Sequence, residues 1–222
     1  MTGWRIVLLG LILLVPLGCR SGATAGPGGT GGVVIPGAPG EPSRVAADAR
    51  AAAPDFQHTE ADVRFMQGMI HHHAQAVAMT DLARTRAGDA VRRMAHRIEL
   101  SQDDEIQIMQ RWLRARGEAV PEVSAEHMHH MHHMSGDEAS FMPGMLTHEQ
   151  MMRLENASGR EFDLLFLEYM IHHHEGALIM VAELFASEGA GYEVEIHDFA
   201  RHVEADQAIE IRRMTAMLEE LR

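Results

Sequence analysis

The sequence predicts an all-α fold: an antiparallel four-helix bundle made of two duplicated helical hairpins, joined by a long Met/His-rich connection. Three observations predict it. One segment occurs twice in a single register. Apolar residues recur at helical spacing through both copies, and no segment alternates as a half-buried strand does. The turns inside each copy are short, which makes neighbouring helices antiparallel.

The repeat is specific. Asp62, Phe65, Met69, Ile70, His71, His72, His73, Ala76 and Met79 return as Asp163, Phe166, Met170, Ile171, His172, His173, His174, Ala177 and Met180. Downstream, Ile98, Gln102, Glu105, Ile106, Met109 and Leu113 return as Val203, Gln207, Glu210, Ile211, Met214 and Leu218. The first helix is expected over 60–85, with Thr59 and Asp62 at its N-cap and Gly88 past its end. The second is expected over 89–116, where Gly117 and Pro121 stop the pattern. Ser158 and Glu161 have capping-box spacing for the third, which ends near Gly189; the fourth covers about 192–221. The domain at 59–222 thus has hairpins at 59–116 and 158–222 and a connection at 117–157, within which Thr147 and Gln150 are spaced to cap a short extra helix.

Residues 1–19 read as an export signal: Arg5, an apolar run over 6–15, then Gly18-Cys19. The run is shorter than the roughly 20 residues that span a bilayer. Its ending resembles a bacterial lipoprotein signal, in which Cys19 carries the lipid and anchors the protein to a membrane. Pro16 departs from that box, which usually has Leu there, and cleaved soluble secretion is the alternative. The expected location is the cell envelope or periplasm. Residues 20–58 are rich in Gly, Ala and Pro. They have too little apolar surface to offset the entropy of ordering, and are expected to form a disordered tether.

The net charge of −13 argues against nucleic acid as a partner and is compatible with cations. The single cysteine, Cys19, excludes an internal disulfide. The chain has 17 Met and 16 His, a stock of soft sulfur and borderline nitrogen donors. They concentrate in the connection, at His127, Met128, His129, His130, Met131, His132, His133 and Met134, with Met142, Met145, His148, Met151 and Met152 beyond. Thioether mixed with imidazole matches Cu(I), and Ag(I) for the same reason; imidazole alone would suggest Zn, Ni or Cu(II). A low-complexity tract with no defined site is the bland alternative.

The repeat holds a second set of donors. At 100° per residue, His72 and His73 fall on the apolar arc of their helix with Met69 and Met79, and His71 falls opposite. His173 and His174 do the same with Met170 and Met180, leaving His172 outside. Gln102 and Glu105, repeated as Gln207 and Glu210, lie on the apolar stripe of the following helix. Buried charges need partners, so these side chains are expected to hydrogen-bond the inward histidines and fix their tautomers. Such a layer is either a satisfied polar register of the bundle or the lining of a metal site.

The pattern Phe-x3-Met-Ile-x-His-His-x2-Ala-x2-Met, at 65–79 and again at 166–180, is followed each time by Gln-x2-Glu-Ile-x2-Met-x3-Leu. It resembles a widespread bacterial family catalogued as a domain of unknown function, which includes CopM-type periplasmic copper-binding proteins. The resemblance implies an exported, ferritin-like four-helix fold and, for the CopM-like members, copper or silver binding in copper resistance. It carries over to Met69, His72, His73, Met79, Met170, His173, His174 and Met180. His71 and His172 stand where that family often has Pro.

The function expected is therefore non-enzymatic: an exported protein that binds Cu(I), with Cu(II) and Ag(I) as further ions, for sequestration, buffering or delivery, with a copper efflux or delivery protein as candidate partner. A structural or interaction bundle with packed histidines is the alternative. A ferritin-like dinuclear enzyme would need an inward Glu-x-x-His pair, which the chain lacks.

Overall fold

The computed structural model describes residues 33–35, 40–42, 44–46, 57–122 and 142–222. The chain divides into two units, Met1–Ala53 and Pro54–Arg222. In the first, β1 (Val33–Ile35) and β2 (Arg44–Ala46) pair antiparallel, with Val34 opposite Val45. This ribbon lies within residues 20–58, where a disordered tether was expected. The β-branched run Val33-Val34-Ile35 favours extended backbone, and Gly40 takes φ +93° between the strands. A lone ribbon of this size is marginal by itself. Cys19 lies outside the described residues.

Helices are the regular structure among the described residues of the second unit. It comprises α1 (Glu60–Arg86), α2 (Asp89–Ala115), α3 (His148–Asn156), α4 (Gly159–Ala186) and α5 (Val194–Leu221). The hairpins α1–α2 and α4–α5 are those expected from the repeat, and α3 is the short helix expected in the connection. Two capping boxes form as the spacing implied, Thr59 with Asp62 and Thr147 with Gln150. The third does not: Ser158 makes no side-chain cap bond. Gly159 behind it takes φ +59°, a left-handed entry to α4 that differs from the other caps. None of the described helices is long and apolar enough to cross a membrane.

The hairpins meet mainly along α1 and α4, which run antiparallel. A carboxylate locks each end of that seam. Asp62, at the start of α1, accepts from Gly191 N at 2.7 Å in the α4–α5 turn. Asp163, its repeat in α4, accepts from Gly88 N at 2.9 Å in the α1–α2 turn. Each hairpin therefore satisfies the other's turn. Gly88 is needed, since a Cβ there would lie 2.7 Å from Asp163 Oδ2. Asp62 also accepts from Thr59 N at 2.7 Å through its other oxygen. Asp62→Ala is expected to destabilise the protein by about 2–3 kcal/mol, from a lost cap and a stranded buried amide. Asp163→Ala, losing one such bond, should cost about 1–2 kcal/mol. Urea unfolding with an unchanged m-value checks both.

The core has two apolar clusters. One packs Met79, Met94, Ile98, Phe162, Phe166, Met170 and Met214 at one end of the bundle. The other packs Phe65, Met66, Met69, Met109, Trp112, Met180 and Phe199 at the opposite end. The polar repeat residues lie between them. Along α2, Gln102 and Glu105 separate Ile98 from Ile106; along α5, Gln207 and Glu210 separate Val203 from Met214.

Candidate metal centre

At the middle of the seam His72 and His173 face each other, ring centroids 3.8 Å apart and planes 39° apart. His73 and His174 flank them, and all four side chains are fully buried. Their burial follows from the helical period: each sits one or two turns from buried methionines on the same face. His172 is exposed, as expected. His71 is half-buried, not turned to solvent, because the end of the connection runs along this side of α1.

The two outer histidines have the partners expected. His73 Nε2 donates to Glu105 Oε2 at 2.6 Å, and His174 Nε2 donates to Glu210 Oε2 at 2.7 Å. A carboxylate accepts only, so it places the proton on Nε2 and leaves Nδ1 with its lone pair. The Nδ1 atoms of both rings are buried and have no hydrogen-bond partner. Gln102 and Gln207 are buried, but neither bonds a histidine; Gln102 Oε1 and both amide atoms of Gln207 go unpartnered. That part of the expectation is corrected: the glutamines line the layer without fixing a tautomer.

The central pair is different. His72 Nε2 donates to Pro143 O at 3.0 Å, and its Nδ1 has no partner. Neither ring nitrogen of His173 has one of good geometry. Burial, then the neighbouring His73, pushes the His72 pKa down to about 3. Burial, then His72, holds His173 well below the usual histidine range. Both rings are therefore neutral at pH 7, the state in which imidazole offers a lone pair to a metal.

A polar layer this deep ordinarily satisfies its groups. Here the Nδ1 atoms of four imidazoles in one mid-bundle layer go without a partner, and imidazole donors fit a borderline or soft ion. Among the described residues, however, no three His, Cys, Asp or Glu side chains gather closely enough to hold an ion unaided.

The family pattern for DUF305, a domain of unknown function, matches residues 62–218. The chain belongs to the DUF305 family. Its fold is shared by a DUF305 fragment from Deinococcus radiodurans, 28% identical, with a TM-score of 0.59 over 73% of this chain and 98% of that one. A DUF305 protein from Streptomyces coelicolor, named as a candidate secreted protein, is 31% identical, with a TM-score of 0.58 over 72% and 93% of the two chains. CopM in its Cu(I)-bound form is 23% identical, with a TM-score of 0.54 over 72% and 96%. CopM structures also exist in Cu(II)-bound and Ag-bound forms. No curated protein matches the sequence.

In this DUF305 chain the bundle methionines are buried as expected but are not gathered into one group. Met69 joins Met180 in one apolar cluster, and Met79 joins Met170 in the other. The antiparallel crossing of α1 and α4 forces this pairing, first methionine of one copy with last of the other. His127, Met128, His129, His130, Met131, His132, His133 and Met134 lie outside the described residues.

One part of the site escaped sequence reasoning. The segment Met142–Leu146 lies in the groove between α1 and α4 as a strap. Gln75 grips it twice, Leu146 N donating to Gln75 Oε1 at 2.8 Å and Gln75 Nε2 donating to Leu146 O at 3.0 Å. Gly144 takes φ +77°, and a Cβ on Gly176 would lie 2.0 Å from Pro143 O. The signal was present in the repeat: Gln75 aligns with Gly176, and Gly68 with Tyr169. The copies differ where the strap touches them.

Proposed function

We propose that this DUF305 protein is an exported copper-binding protein that takes up Cu(I), and Ag(I) by the same chemistry, to sequester, buffer or deliver it. The observation that carries the reading is the set of four buried imidazoles whose Nδ1 atoms have no partner, two of them oriented by glutamates. Glu105 and Glu210 hold the Nε2 protons and turn the rings, which is the role outer carboxylates have beside histidine ligands. Met69, Met79, Met170 and Met180 lie buried on the same helices as the histidines, in the clusters on either side of the layer, and soft donors select Cu(I) over hard divalent ions. The Met/His tract at 127–134 adds further donors of the same kind. CopM, of similar fold, has been solved with copper and silver bound. The Gly18-Cys19 ending supports a lipid anchor in the cell envelope, with an efflux or delivery protein taking the ion onward. The chain is read as a carrier, not an enzyme.

A second reading has one observation in its favour. With no three His, Cys, Asp or Glu side chains already gathered among the described residues, the layer would serve as a polar register of the bundle.

Anaerobic Cu(I) titration against a chromogenic chelator separates the two, using the protein and a variant with the His and Met of 127–134 replaced by Ser. The variant is expected to keep about half or more of the ions. Complete loss would make the buried histidines architecture and the tract the whole metal function. Failure of the unaltered protein to compete would end the copper reading.

A further inference from the structure

We propose that Met142, on the strap, is a soft-metal ligand that forms a site with Met180 and His72 on one face of the bundle. This rests on the copper reading but goes beyond it, because Met142 lies outside the repeated motif.

The strap is in register with α1. Gly68, His72 and Gln75 follow one another down the helix at intervals of four and three, which places them on one stripe. Against that stripe lie Met142, Pro143 and Leu146 in the same order. A Cβ on Gly68 would meet Met142 Sδ at 3.5 Å and Met180 Cε at 3.4 Å. Two thioether side chains, one from the strap and one from α4, thus converge over a single glycine. His72 is one turn further on, and long side chains on a helix lean back over the preceding turn. His72 bonds the strap directly next to Met142, through Nε2 to Pro143 O at 3.0 Å, and its Nδ1 has no partner.

The repeat shows that this arrangement is not a by-product of the motif. The position of Gly68 is Tyr169 in the second copy, and a tyrosine there would fill the space the two methionines occupy. Glycine inside a helix costs roughly 1 kcal/mol relative to alanine. Gln75 and Gly176 break the repeat in the same region, one gripping the strap and the other clearing its path. Two copies that alone would give two equivalent faces thus give one covered by the strap.

The donor set is chemically coherent. Two thioethers and one neutral imidazole carry no charge. Such a set suits a soft monovalent cation and has no carboxylate with which to hold a hard divalent one. Three of the ligands required are thereby available without His, Cys, Asp and Glu having to gather.

The test uses Ag(I), which needs no control of oxidation state, and the full chain with the 127–134 His and Met replaced by Ser. Methionines carry 13C-labelled methyl groups, and NMR follows each one. The Met142 and Met180 methyls are expected to shift together, and Met142→Leu is expected to weaken Ag(I) binding by about tenfold or more. Leucine keeps the volume, so the variant should fold with nearly unchanged thermal stability. Shifts at Met69, Met79 or Met170 with none at Met142 would overturn this site and leave the copper reading standing. No shift at any bundle methionine, with the histidine resonances also unmoved, would overturn this site and make the 127–134 tract the whole metal function. A Met142→Leu variant that loses stability but binds Ag(I) as before would make the residue packing alone.

Discussion

Replacing His72 and His173 together by leucine is expected to make the metal-free protein more stable at pH 7, by about 1–3 kcal/mol, and less sensitive to acid. The two rings leave three buried nitrogens without partners, and each such group costs free energy that an apolar side chain does not. The pH effect has a definite sign. Both histidines have folded pKa values below the unfolded value of 6.5. The unfolded chain therefore takes up protons first. The stability that neutral rings contribute is fully present above pH 6.5 and is lost as pH falls toward the folded values. Burial is the main cause, and the other layer histidines His73 and His174 push the same way. By pH 5 the His72 ring should have cost about 2 kcal/mol, and His173 adds a loss of the same sign. Urea midpoints at pH 7, 6 and 5 would read this out, with a steep decline in the unaltered protein and a shallower one in the double variant. Equal slopes would place the acid sensitivity elsewhere. The same variant should lose the Cu(I) bound by the bundle, so that stability and binding move in opposite directions.

Removing either glutamate should have the reverse effect on stability. Glu105→Ala leaves His73 with both ring nitrogens unsatisfied in a dry interior, and should destabilise the bundle by about 1–3 kcal/mol. Glu210→Ala acts likewise on His174. If the rings are ligands, Cu(I) affinity should also fall by about 10–100-fold, because tautomer and orientation are no longer imposed. Glu105→Gln keeps an acceptor and should recover part of both losses. Chelator competition alongside thermal unfolding gives the two quantities. A stability loss with unaltered Cu(I) affinity would favour the purely structural layer.

What the sequence made legible was local or periodic. The Thr59–Asp62 and Thr147–Gln150 caps depend on residues three apart. The inward turn of His72, His73, His173 and His174 follows from 100° per residue. Glu105 and Glu210 were identifiable as partners because a charge on an apolar stripe requires one. What was hidden depends on tertiary placement. The Asp62–Gly191 bond joins residues far apart in the chain, and nothing nearby announces it. The stacking of His72 on His173 needs the crossing point of α1 and α4. The strap needs that crossing too, and only the mismatches Gly68/Tyr169 and Gln75/Gly176 hint at it. At Ser158 the local rule failed, since a positive φ at Gly159 accompanies an N-cap without the expected bond.

The reciprocal carboxylate locks also have a kinetic consequence. They stand at opposite ends of the α1–α4 seam, with the histidine layer midway. A hinge opening from either end breaks one lock and leaves the other to close it, so prying the hairpins apart is the slow route to the interior. The strap, five residues fixed to α1 by two bonds from Gln75 and one from His72, is the smaller element to move. Release and exchange of anything held at mid-bundle would then follow the rate at which five residues lift sideways from a groove, while the four long helices stay shut.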